Sequence, residues 1–428
     1  MLVKRASTLI VASLYFTLIT TTQARLTTYL GPHYFPNDSV IYDSDSFDNA
    51  SLAYAVCEKY PDGEDQACRL VLEEDSITLS CDLVLKTGQT IKDGIFGPRL
   101  EVALLRGRRA MLVWWEEVSF FEYRMRIDIA SFHRNESDDS SSCRLIEAKF
   151  DLGSEYASDI VKIVDHSSHY DLIFKNGGDC RDRFCKMSVD ASGRLIERPR
   201  PWASLYGTET KPMIVSIAPE TSRLGYLLIE GTGRSEPQTI QIRERWPASI
   251  VRADGTKIHL KNFTHGFPSF YDPVYSTAHG KIGICTQVNT TCTCSQFDHS
   301  GRTELEVNVT LEMVTFATAM HNLPDGRKGA GFLLLITDCY LTACVTRMQR
   351  HSVWMIGNSG LKIGELSFDK LDCEFVENLA DVRLWETKEG EYCASFVCYK
   401  RDYLVLGDDI GHFNLTTVCF DDDDFLKI

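Results

Sequence analysis

Gly331-Phe332-Leu333-Leu334-Leu335-Ile336 is an unbroken apolar run of strand length, too short for a core helix, and it reads as a strand buried on both faces. It is not alone. Comparable runs stand at Leu52-Val56, Met111-Trp115, Leu172-Phe174, Tyr226-Ile229, Ile282-Cys285 and Val382-Trp385. They recur about every 55 residues, and each is followed within about a dozen residues by a second strand-like run, so each pair reads as a hairpin. A supersecondary unit repeated at such a period marks an array or propeller, in which no single unit buries its own apolar face.

Glycine-bearing turns keep the same beat. Lys86-Thr87-Gly88, Asp190 to Arg194, Ala253 to Thr256, Asp298 to Arg302, Asn358-Ser359-Gly360 and Asp409-Ile410-Gly411 each close what reads as the outer hairpin of a unit. Glycine supplies the positive φ of such turns, and Asp or Asn can bond its own backbone. Unit two departs from the pattern, with the polar loop Asn135 to Ser142 in the expected place.

The expected fold is therefore all-β: a β-propeller of seven four-stranded blades stapled by disulfides, with radial closure removing exposed sheet edges. Six blades are the alternative count, because unit one is irregular and Ser76 to Lys86 could be an extra strand; a pair of β-sandwiches is the alternative architecture. The expected division is 1-24 signal peptide, 25-51 N-terminal lead, 52-420 a single propeller domain and 421-428 an acidic tail. Lys4 and Arg5 precede the apolar stretch Leu9 to Ile19, and Thr22-Gln23-Ala24 offers small residues for cleavage. No later segment is long and apolar enough for a membrane span.

Charge narrows the partners. The formal net charge is -15 at pH 7, and loss of Lys4 and Arg5 makes it -17. Nucleic acid and anionic membranes are poor partners for such a chain, since phosphate attraction needs a basic face. A secreted location also gives meaning to the N-x-S/T acceptors at Asn37, Asn49, Asn135, Asn262, Asn289, Asn308 and Asn414, which if glycosylated must lie on the surface.

Fifteen cysteines in a secreted chain point to disulfides, with one thiol left over that is either buried or free to pair with another chain. Cys180 with Cys185, Cys339 with Cys344 and Cys393 with Cys398 share a four-residue spacing inside the apolar hairpin, and Cys57 with Cys68 brackets the matching loop of unit one. Such spacing sets the flanking residues opposite each other on antiparallel strands. Cys285 is expected to pair with Cys292 or Cys294, and Cys419 with an N-terminal cysteine such as Cys81; Cys143 and Cys373 complete the set. Cys285, Cys292 and Cys294 beside His299 look superficially like a zinc cluster, but such sites usually show two clean pairs, and no metal is assigned there.

Chemistry is less legible than shape. If each unit runs from innermost to outermost strand, the first strands end in polar residues: Asp165-His166 and His169, Glu220, His279, His321 and Asp381. In a propeller these share one rim, so Asp165, His166, His279 and His321 are the candidate site; the plain alternative is that wet turns are polar anyway. Asp43 to Asp48 resembles the start of a calcium loop but lacks the glycine and glutamate such a loop needs, and the run Asp421 to Asp424 reads as solvated. The turns at Asp190 and Asp298 resemble the Asp-boxes of sialidase-like propellers only in outline, without the flanking serine and aromatic, which implies a turn and nothing about sugars. Trp114 and Trp115 adjoin, so on a strand they face opposite sides, one into the core. Signatures of serine hydrolases, zincins, phosphate loops and dinucleotide loops are absent from the sequence.

The expected function is binding of an extracellular protein or glycan by a rigid secreted scaffold, with no cofactor required and a divalent cation left open. The rival is a metal-assisted hydrolase built on the axial His/Asp rim.

Overall fold

The computed structural model describes residues 27–34, 39–47, 51–58, 65–74, 77–86, 100–105, 107–119, 122–134, 141–147, 160–165, 169–175, 184–202, 213–216, 225–230, 243–252, 256–266, 273–312, 315–325, 327, 329–339, 349–368, 375–376, 383–387, 390–401 and 411–427. The signal peptide expected at 1–24 lies outside them. The chain is a seven-bladed β-propeller of antiparallel blades, the fourth and fifth joined into one sheet by a single parallel bridge from Gly266 to Val288.

Blade 1 runs from Ser39–Phe47 through Ser51–Glu58 and Asp65–Glu74 to Ile77–Lys86, so the candidate extra strand is an ordinary fourth strand. Blades 2 to 6 begin at Leu100–Leu105, Ile160–Asp165, Met213–Ser216, Val274–Ser276 and Thr315–Asn322, and strand order within each follows the chain. Blade 7 contains Arg383–Glu386, Tyr392–Arg401 and Gly411–Phe420. The first strands of blades 1 to 4 touch in turn, as do those of blades 5 to 7, and Arg383–Glu386 returns to Ser39–Phe47 to close the ring.

Two segments expected to stand outside the propeller belong to it. Residues 25–51 are no lead: Thr27–Tyr34 is the outer strand of blade 7, with Thr27 opposite Cys419, and Ser39–Phe47 is the inner strand of blade 1. Asp43 and Asp45 therefore lie on a strand rather than a calcium loop. The terminal run is no free tail either, because Leu426–Lys427 adds to the outer strand of blade 6.

The apolar runs are second strands, sandwiched between neighbouring blades. Period-two alternation sends Leu333 and Leu335 toward blade 7, while Phe332, Leu334 and Ile336 pack toward blade 5. With both faces buried, such a strand cannot alternate in polarity, which explains its continuous apolar text. Met111 and Val113 likewise face blade 3, and Leu112 and Trp114 face blade 1, with the indole nitrogen donating at 2.8 Å to Asp128 on the next strand of the same blade. The seventh run is out of phase. Val382-Trp385 overlaps the first strand of its blade, and the second is Tyr392–Arg401.

The staples follow the register. Cys57–Cys68, Cys285–Cys294 and Cys393–Cys419 each join directly opposed residues on the second and third strands of a blade, with Cα separations of 4.0, 4.1 and 4.0 Å. Two expected bonds are thereby corrected. Cys393 bonds Cys419 instead of Cys398, because Cys398 lies opposite Asn414 farther along the same strand pair. Cys81 bonds Cys143, tying the outer strands of blades 1 and 2, and so is not the partner of Cys419. Among the described residues Cys292 is a free buried thiol, since the register sets Cys294 opposite Cys285 and Cys292 opposite Gln287. Cys185 is disulfide-bonded. Cys180, Cys344, Cys373 and the side chains of Cys339 and Cys398 lie outside the described residues.

The glycine turns repeat atom for atom. Asp190 Oδ1 accepts from the backbone N–H and hydroxyl of Ser192 and from the N–H of Arg194; Asp298 does the same with Ser300 and Arg302. Gly193 and Gly301 then take φ of 76° and 85°, a region closed to most side chains. The serine hydroxyl bond, then the N–H bonds, hold both carboxyls below the usual carboxylate range. Asn262, Asn289 and Asn308 are exposed, while Asn37, Asn49, Asn135 and the side chain of Asn414 lie outside the described residues.

Candidate functional site

Three neighbouring blades each deliver one group to a shared rim. His279 sits in the 3-10 turn Ala278–Gly280 between the first two strands of blade 5, with a left-handed φ of 54°. His321 ends the first strand of blade 6 and is buried; Glu386 ends the first strand of blade 7. Glu386 Oε2 lies 2.7 Å from His279 Nε2 and 3.5 Å from His321 Nε2. The two imidazoles meet edge to face at a centroid distance of 5.7 Å.

Asn322, next along the strand from His321, fixes the turn that carries His279. Its fully buried amide donates to the Ser276 carbonyl at 3.1 Å and the Lys281 carbonyl at 3.0 Å, and its backbone N–H donates to Ser276 Oγ at 2.9 Å. Gln296 Nε2 in turn donates to Asn322 Oδ1 at 3.0 Å. Gly283 makes room for this lock, because a Cβ there would stand 2.3 Å from Asn322 Oδ1. Asn322→Ala is therefore expected to cost about 2 kcal/mol, since it leaves buried carbonyls unpaired. Asn322→Ala should also loosen His279, read as faster amide exchange over Ala278–Gly280; unchanged exchange would show that the lock does not position the turn.

A second layer surrounds the carboxylate. Arg327 donates from Nε to Asp422 Oδ2 at 2.9 Å and from Nη1 to the Tyr392 hydroxyl, and stands 4.0 Å from Glu386 Oε1. Its guanidinium also lies over the Tyr392 ring, 4.6 Å from the centroid, an added cation–π attraction. Burial by itself would raise the Glu386 carboxyl, but hydrogen bonds from His279 and His321 and their charge outweigh it and hold the group at about 2. The result is a fixed anion held against two imidazole edges. It can accept hydrogen bonds or ligate a cation, and it is a poor proton donor.

Of the expected candidates, the structure brings His279 and His321 together. Asp165 ends the first strand of blade 3, but its side chain and all of His166 lie outside the described residues, as do Glu220 and Asp381. His169 is 3.5 Å from Asp171 in a separate cluster. Glu386 carries no signal in the sequence, because Val382-Trp385 reads as a second strand, whose exit lies at the opposite face. The neighbouring Tyr392 had no signal beyond its aromatic character. The cysteine trio is no metal centre, since Cys285 and Cys294 are bonded to each other and burial pushes the Cys292 thiol up to about 12.

No family model and no curated protein matches this chain. Similar solved structures include an α-L-arabinofuranosidase from Fusarium graminearum, at 8% identity over 92% of this chain and 96% of that one, with a TM-score of 0.42. The β-propeller domain of the Trilobed protease from Pyrococcus furiosus matches at 10% identity over 92% and 96%, also with 0.42. A sialidase from Streptococcus pneumoniae matches at 7% identity over 95% and 71%, with 0.43.

Proposed function

We propose that the chain is a secreted, glycosylated binding protein whose partner, an extracellular protein or glycan, docks on the rim formed by His279, His321, Arg327 and Glu386. The state of Glu386 carries this reading. Hydrolysis of a glycosidic bond uses two carboxyl groups, one of them kept protonated as the acid. Glu386 is held ionised instead, and Asp422, which shares Arg327 with it, is engaged by that guanidinium. A rim of fixed charge on a stapled ring suits recognition at low ordering cost.

The opposite end of blade 5 is a less open docking face if Asn289 is glycosylated. Asn289 is exposed in the turn after Ile282–Val288, at the far end of the strand from His279, so a glycan there would crowd the other face. The test immobilises wild-type and Arg327→Ala chains and compares the proteins and glycans each retains from extracellular fluid. The expected result is a partner held by the wild type and lost from the variant. Turnover of ester or glycoside substrates that Glu386→Gln abolishes would replace binding with the hydrolase reading, which the convergence of two histidines and a carboxylate supports.

A further inference from the structure

We infer that His279, His321 and Glu386 form a site for one divalent transition cation of the zinc type, with an open position toward solvent. The inference goes beyond the docking reading and does not depend on which partner docks. Three donors of the right chemistry converge, for all their ligand atoms lie within 4.8 Å of one another. Bonds of about 2.0–2.1 Å in tetrahedral geometry set neighbouring ligand atoms roughly 3.3 Å apart. The observed separations from Glu386 Oε2, 2.7 and 3.5 Å, bracket that value.

The surroundings are built as a cation site needs. Arg327 approaches Oε1 of Glu386, which leaves Oε2 to the ligand side where both histidine Nε2 atoms point. Asn322 fixes the turn of His279, and Tyr392 packs edge-on against His321, so two of the three ligands are oriented from behind. Exposure rises from 7% for the His321 side chain through 16% for Glu386 to 27% for His279, which makes a pocket closed at the back and open at the front. Two imidazoles and one carboxylate suit zinc, cobalt or iron(II), whereas calcium and magnesium favour oxygen donors throughout. The open position would take water or an oxygen of the docked partner.

The experiment titrates the full secreted chain with zinc chloride by calorimetry at neutral pH, and with cobalt(II) by visible absorption. Expected are one equivalent of zinc bound, a cobalt d–d spectrum of low coordination number, and weaker binding in acid because both imidazoles must be neutral to ligate. His279→Asn, chosen because asparagine tolerates the left-handed backbone, and Glu386→Gln should each weaken zinc binding at least about tenfold. Wild-type chain that binds no stoichiometric zinc would overturn the site, as would binding untouched by both substitutions. Should either variant fail to fold, the wild-type cobalt spectrum still decides, since octahedral cobalt or no spectrum refutes a zinc-type pocket of low coordination number. Arg327→Ala separates the two readings: it should abolish docking, while zinc binding, which keeps all three ligands, should weaken less than in His279→Asn or Glu386→Gln.

Discussion

Replacing Asp171 by alanine is expected to lower the stability of the propeller by about 3–5 kcal/mol, the usual cost of breaking a buried ion pair from one side. Asp171, on the second strand of blade 3, is 1% exposed. Its carboxylate accepts from Lys186 Nζ at 3.0 Å, from the Ser188 hydroxyl and from the Tyr226 hydroxyl of blade 4. The alanine variant strands the Lys186 ammonium in an interface where, among the described residues, Glu197 at 3.9 Å offers a second and more distant carboxylate. It also removes one acceptor from a tyrosine hydroxyl whose titration burial, then the charge of Asp171, pushes far above the ordinary tyrosine range. Denaturant unfolding of wild type and variant measures the difference, and a loss under about 1 kcal/mol would show that the cluster is effectively solvated. The double change Asp171→Leu with Lys186→Met is expected to recover most of the loss, because apolar isosteres replace a buried pair at little net cost.

Acidification should expose a second weak point, His351. This residue sits between blades 6 and 7, with Nδ1 on the Thr337 hydroxyl at 3.0 Å and its ring 4.9 Å from that of Phe396. Its Nε2 is buried and has no hydrogen-bond partner among the described residues. Burial therefore disfavours the charged ring and lowers the group from 6.5 to about 4. Between these values the unfolded chain binds a proton that the folded chain refuses, so stability falls as pH drops through that window and is fully retained above it. The shift corresponds to about 3 kcal/mol, each pKa unit being about 1.4 kcal/mol. Comparing wild type with His351→Leu from pH 7 to pH 4 checks this. The variant should lose less stability on the acid side, and parallel curves would refute the assignment.

The fold was legible because propeller physics writes itself into the text. Strands pressed between two blades must be apolar on both sides, so Gly331 to Ile336 and its counterparts stand out, and turns needing positive φ demand glycine at Gly193, Gly301 and Gly360. Blade 7 was harder to read. Its outer strand comes from the opposite end of the chain and its second strand, Tyr392–Arg401, is less uniformly apolar, so the pattern there locked onto the first strand. That slip of one strand hid Glu386 and misassigned Cys393. The histidines were found through their place in the repeat, but Arg327 and Asp422 meet only through folding: they lie 95 residues apart and belong to a turn and a terminus that local pattern describes merely as polar.

The pairing of Thr27–Tyr34 with Gly411–Phe420 also has a temporal meaning. Thr27–Tyr34 is made long before its partner Gly411–Phe420, while the blades between them can form from local neighbours. Contacts so distant in sequence are slow to find, because the intervening chain must first be ordered or its loop entropy overcome. Completion of blade 7 is thus expected late in folding. The Cys393–Cys419 bond joins the two strands of that blade that are close in sequence, so it can form ahead of the strand that seals the ring.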